Sequence, residues 1–118
     1  MQHNESKEQA SLIYWTTLAI NVYPDLKWLH CSLNGVNLTP VQAKIAKSQG
    51  MKAGIADLFL PAKRGEYSGL YIEMKYGKNK LTKEQKEFLE YVKSQGFLTF
   101  VCYGWYEAKE LLIKYLNQ

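Results

Sequence analysis

At 118 residues the chain has room for one domain, expected over 1–118, and a core of moderate size. Hydrophobic residues make up 47% and charged residues 22%, as in an ordinary globular protein. The net charge of +4 favours an anionic partner over a cationic one. Two cysteines, Cys31 and Cys102, exclude a disulfide-stapled scaffold, and no CxxC or Cys/His cluster points to zinc. No apolar run approaches the ~20 residues of a membrane span, and the polar start of the chain is not a signal peptide. A reduced, cytoplasmic protein is the expectation.

In chain order, Glu5 to Val22 has apolar residues at helical spacing (Leu12, Ile13, Thr16, Ala19, Ile20), with Asn4 or Ser6 as cap. Carried back toward the N-terminus, that stripe reaches Glu5, Glu8 and Gln9. At least one carboxylate is therefore expected over the surface on which the helix packs. Trp28 to Leu33 is short and bulky, a strand, followed by an Asn34-Gly35 turn. Pro40 to Ser48 is a helix with proline in its first turn. Ile55 to Leu60 is a strand stopped by Pro61, and a polar, basic loop follows from Ala62 to Ser68.

Gly69 to Tyr76 is the most informative strand. With a side-chain period of two, Leu70, Ile72 and Met74 point one way and Tyr71, Glu73 and Lys75 the other. Thr82 to Gln85 fits a capping box opening a helix that Gly96 stops, with Phe88, Leu89 and Val92 inward. Phe97 to Tyr103 is an apolar strand, and Trp105 to Leu116 an amphipathic helix. Two strands joined by a short loop predict an antiparallel hairpin. The strand–helix–strand unit from Gly69 to Tyr103 predicts a parallel crossover. The outcome is an α/β fold with a mixed sheet flanked by helices.

If the two middle strands pair as a hairpin, Asp57 and Glu73 converge across the ladder, where opposed side chains stand ~5 Å apart. Carboxylates that close repel unless something positive lies between them. A hard divalent cation suits the place, with oxygen ligands and retained waters, and the Met74 carbonyl can add a ligand. Lys75, on the same face as Glu73, can orient water or stabilise charge on a phosphate. Together these are the parts of metal-assisted phosphodiester hydrolysis. Taken alone, a Glu-x-Lys on a strand is commonly a solvated face; the joint spacing is what raises it. Gln85 reads two ways: as the third residue of a capping box, or as a polar group over the active face that holds the lysine, water or DNA.

The segment Gly50-Met-Lys-Ala-Gly-Ile-Ala-Asp57-Leu-Phe-Leu-Pro61, the later Gly69-Leu-Tyr-Ile-Glu73-Met-Lys75 and Leu81-Thr-Lys-Glu-Gln85 together resemble the virus-type replication-repair nuclease (VRR-Nuc) domain. This is a branch of the PD-(D/E)xK superfamily. The upstream Glu5-x-x-x-Gln9, the Ser32-Leu-Asn34-Gly35 turn and the closing Tyr103-Gly-Trp resemble it as well. One departure is Ala56, where the family often has proline. The resemblance implies a restriction endonuclease-like αβββαβ core. It implies Asp57 and Glu73 as metal-binding acids, Lys75 as catalytic lysine, Gln85 as the glutamine beside the site, and Glu5 (with Glu8 in competition) as the helix-one acid completing the metal site. The implied reaction is Mg2+- or Mn2+-dependent DNA cleavage. Small stand-alone members resemble Holliday junction resolvases, homodimers that cut branched DNA.

Charge supports a DNA partner independently. Between Lys44 and Lys93 basic residues exceed acidic ones by five. Lys47, Lys52, Lys78 and Lys80 adjoin the motif and are expected to meet phosphates, together with Asn34 of the turn. Lys83, Lys86 and Lys93 read equally well as ordinary surface lysines. His3 and His30 are isolated, and the tryptophans and tyrosines read as core or interface. The expectation is a homodimeric, structure-selective endonuclease acting on four-way junctions. The alternatives are a flap or nicking nuclease, or a non-catalytic DNA-binding module on the same fold.

Overall fold

The computed structural model describes residues 4–32 and 37–118. The Asn34-Gly35 turn, Asn34 as a DNA contact and His3 lie outside them. The elements run α1 (Glu5–Ala19), a 3-10 turn (Pro24–Trp28), β1 (His30–Cys31), α2 (Pro40–Ser48), β2 (Leu58–Leu60), β3 (Leu70–Lys75), α3 (Lys83–Ser94), β4 (Leu98–Tyr103) and α4 (Trp105–Leu116). The four strands form one sheet in the order β1-β2-β3-β4. Both β1–β2 and β2–β3 pair antiparallel, and β3–β4 pair parallel across the α3 crossover. With α1 in front, this is the expected restriction endonuclease-like αβββαβ order, and α2 is set between β1 and β2.

Local chemistry explains most boundaries. Asn4 caps α1 by accepting from the Lys7 amide. Both Thr39 and Thr82 form complete capping boxes, with Gln42 and Gln85 as the returning partners. Three expected elements prove shorter. Helix α1 stops at Ala19, whose carbonyl takes both the Val22 and the Tyr23 amide, instead of running to Val22. Trp28 closes a 3-10 turn rather than opening a strand, because Pro24 starts that turn and Leu26 buries its one apolar anchor. Strand β2 begins at Leu58 rather than Ile55, which leaves Asp57 just ahead of the ladder.

The sheet separates two packing layers. Leu58, Leu60, Leu70, Ile72, Met74 and Cys102 form one apolar face, on which α1 sets Leu12 and α4 sets Ala108, Leu112, Tyr115 and Leu116. Fully burying a side chain of that size stabilises by about 1.5–3 kcal/mol. Helix α3 covers the opposite face with buried Leu89 and Val92, while Phe88 meets Tyr71 edge-on. Helix α4 is preceded by Gly104, which has no side chain to cap it. The cap comes from α1: a Glu8 carboxylate oxygen accepts from the Trp105 amide at 2.8 Å. A side chain at Gly104 would sit 2.9 Å from that oxygen on a backbone with φ +100°, so the Tyr103-Gly-Trp motif is a docking point for Glu8.

Candidate active site

Asp57 and Glu73 meet because of register. Leu58 pairs with Ile72 and Phe59 with Tyr71, so one further step sets Asp57 opposite Glu73. Asp57 is also pinned to β3, since its Oδ2 accepts from the Met74 amide at 2.7 Å. The N–H and C=O of one strand residue leave the same edge, so the Met74 carbonyl projects on the Asp57 side as well. The loop leading to Asp57 is fixed by Gly54. Its φ is +88°, and an added Cβ would lie 2.5 Å from the Glu84 backbone in the first turn of α3. Glycine there lets the Asp57 loop and the Gln85 helix touch.

Glu73 and Lys75 are both buried, at 2% and 5% exposure. Gln85 holds them together. Its Oε1 accepts from Lys75 Nζ at 3.0 Å and from the Thr82 amide at 2.9 Å, while its Nε2 donates to Glu73 Oε2 at 3.0 Å. The two donors on one side and the acceptor on the other fix the orientation of the amide. Both readings of Gln85 therefore hold at once: one side chain closes the helix cap and bridges the lysine to the acid. Lys75 Nζ is itself 3.7 Å from Glu73 Oε2.

Electrostatics mark the pair as strained. Burial, then the negative charge and hydrogen-bonding reach of Asp57, push the Glu73 carboxyl up to about 8, although Lys75 opposes them. Burial also raises Asp57, against the pull of the Met74 amide. Glu73 Oε1 is buried and meets no hydrogen-bond donor among the described residues. Two buried carboxyls side by side need a proton or a cation between them.

The other predicted residues lie around this pair. Glu5, Gln9, Ser32 and Asp57 line a cleft of about 510 Å3, and the charge of Glu5 reaches both acids. Asn79, on the loop after β3, donates to Glu5 Oε2. Glu8 is committed to the α4 cap, so of the two helix-one acids it is Glu5 that faces the site. Lys47 and Lys52 line a second cleft of about 490 Å3 that ends at Thr82, Glu84 and Gln85. Lys78 and Lys80 are exposed on the β3–α3 loop. Neither the Ser32 hydroxyl, buried and without a hydrogen-bond partner among the described residues, nor the tie between Asn79 and Glu5 has a signal in the amino-acid order, since both depend on residues far apart in the chain.

Among the described residues no three His, Cys, Asp or Glu side chains form a ready-made metal cage. The donor set is instead two carboxylates, one of them with a bare oxygen, beside a strand carbonyl. That set suits a hard cation that keeps part of its water shell.

A search of curated proteins found no match. The chain does match the VRR-NUC domain family over residues 3–105. It is also similar to a solved structure described as a VRR_NUC domain protein. The two share 28% identity and superpose with a TM-score of 0.80, covering 99% of this chain and 91% of the other. A family match over most of the chain and a shared four-stranded scaffold agree with the clustered acids, lysine and glutamine: the chain belongs to the VRR-NUC domain family and has its nuclease-type fold.

Proposed function

We propose that the protein is a metal-dependent DNA endonuclease that hydrolyses phosphodiester bonds in branched DNA, acting as a homodimer on four-way junctions. The observation that carries the catalytic part is the meeting of Asp57 and Glu73, whose Oε1 has no hydrogen-bond partner among the described residues, beside the Gln85-held lysine. Asp57, Glu73 and the Met74 carbonyl would hold Mg2+ or Mn2+, with Glu5 completing the site. Such an ion, when bound, polarises the phosphate and lowers the pKa of its water.

The chain's own groups do the rest. Gln85 keeps Lys75 from swinging, so its ammonium is already in place to orient a water or to face charge developing on a phosphate. Glu73 keeps its orientation through the same amide, which leaves its other oxygen for a ligand. Lys47 and Lys52 in one cleft and Lys78 and Lys80 on the nearby loop supply positive charge for the strand on either side, with salt-sensitive affinity. A two-fold dimer would present two such sites to a substrate of approximate two-fold symmetry.

The test is direct. Labelled four-way junction, flap and linear duplex are incubated with the protein in Mg2+, Mn2+ or EDTA, and mass in solution is measured alongside. Paired cuts in the junction, dependent on the ion and made by a dimer, are expected. Cutting that persists in EDTA would remove the metal from the reading. A preference for the flap, or a strict monomer, would replace the resolvase with a nicking enzyme.

A further inference from the structure

Beyond the catalytic cluster, the same face of the sheet carries a row of rings. Phe59 stacks on Tyr71 with centroids 4.3 Å apart and planes 25° from parallel. His30 meets Phe59 edge-on at 5.7 Å. The rings of His30, Phe59 and Tyr71 line a cleft of about 260 Å3, whose remaining wall is Cys31, Ser32, Ile55 and Ala56. Ala56 precedes Asp57, and the Ser32 amide donates to the Asp57 carbonyl at 2.8 Å. Ser32 also lines the Asp57 cleft, so the two clefts share a wall.

Two polar features distinguish this cleft from a gap in the core. The Ser32 hydroxyl is buried and has no hydrogen-bond partner among the described residues. A buried hydroxyl left without a partner carries a desolvation penalty that a bound ligand would relieve. His30 is exposed and its ring is held by a 2.9 Å contact between Nδ1 and the Trp28 carbonyl. A carbonyl can only accept, so Nδ1 carries the proton and, in the neutral ring, Nε2 is left as an acceptor. A cleft lined by aromatic rings, with a hydroxyl inside and a ring nitrogen at its mouth, fits a flat heterocycle with polar edges.

We propose that this cleft is a subsite for one unpaired nucleobase next to the scissile phosphate. A base inside a duplex keeps its faces against its neighbours, so a base must leave the helical stack to meet these rings. Stacking on aromatic rings tolerates any base, which suits selection of DNA by branch shape rather than by sequence. The proposal rests on the nuclease reading for the source of the base. Docking of the base, however, is a binding event that needs no cleavage.

The test uses the full chain in EDTA, with duplexes bearing a single-stranded arm in which the fluorescent base aminopurine is moved one position at a time. Quenching confined to a position beside the duplex end is expected. In His30→Ala and Ser32→Ala, both lining the cleft and outside the hydrophobic core, that quenching should need roughly 5- to 100-fold more protein, the scale of a lost base contact. Equal quenching at every position, none at all, or wild-type quenching in both variants would overturn the subsite. Position-specific quenching by a protein that never cuts in Mg2+ or Mn2+ would keep the subsite and refute the nuclease. Cutting without such quenching would do the reverse.

Discussion

The two faces of β3 bury nearly the same amount of side chain and use it in opposite ways. Leu70, Ile72 and Met74 are fully buried against α1 and α4, where removal from water is itself the driving force. Glu73 and Lys75, one residue over, are almost as buried, yet both are ionisable groups whose charged forms burial disfavours. Gln85 offsets part of that cost through its hydrogen bonds to both side chains, whereas the neighbouring Asp57 carboxyl adds to it. The alternation of a single strand thus divides the molecule into a stabilising side and a side that gives up stability, the one on which we propose the chemistry takes place.

That division can be tested by neighbouring substitutions, beginning with the largest effect. Asp57→Ala and Glu73→Ala should bring cleavage of a labelled junction to the detection limit. Lys75→Ala should slow it roughly 10²–10³-fold, as expected when a charge-stabilising group is lost. DNA affinity measured in EDTA should stay largely intact in all three. Full cutting by any one of them removes that residue from the mechanism. Ile72→Ala, on the other face, should lower unfolding free energy by about 2–5 kcal/mol in urea titration, with cleavage per folded molecule unchanged. A loss of activity without a loss of stability there would show that the faces are not separate.

The two acids of α1 extend the contrast at smaller scale. Glu8→Ala removes the cap on Trp105 and should cost about 1–2 kcal/mol of stability. Glu5→Ala should leave the melting midpoint nearly unmoved and weaken metal-stimulated cleavage. The reverse pattern would exchange their roles.

A separate effect is the pH dependence of metal-free protein. Glu73 titrates in the folded state at about 8, well above an ordinary carboxyl. Between the unfolded value and about 8 the folded state holds a proton that the unfolded chain has released. Its contribution to stability is therefore complete at low pH and is lost as pH rises through that window. In EDTA, thermal midpoints should fall toward pH 8, and Glu73→Gln should flatten that slope. Saturating Mg2+ should raise the wild-type midpoint most at the alkaline end. A wild-type slope unchanged by Glu73→Gln would place the strain elsewhere.

Much of this was legible from the residues. The period of two in Gly69 to Tyr76, the capping box at Thr82 and the proline at α2 are local signals, and each element lies where its signal does. The convergence of Asp57 and Glu73 needed one assumption beyond that, the hairpin register. The short elements were harder to read. Trp28 has the bulk of a strand residue but belongs to a turn set by Pro24, and Ile55 to Asp57 follows a path dictated by contact between Gly54 and α3.

The amino-acid order by itself determined the repeating patterns: which side chains share a strand face, which positions start and stop helices, and that acids, lysine and glutamine recur at a family's spacing. These follow from backbone periodicity and neighbour chemistry, which act over a few residues. Only the tertiary structure decided the outcomes that need distant parts to meet. It assigned Glu8 to the start of α4 and turned Glu5 toward Asp57. It gave Gln85 two tasks through one amide and left Glu73 Oε1 and the Ser32 hydroxyl without partners among the described residues. Hydrogen bonds and desolvation depend on which atoms stand within about 3 Å of each other, and chain order alone does not specify that for residues far apart in sequence.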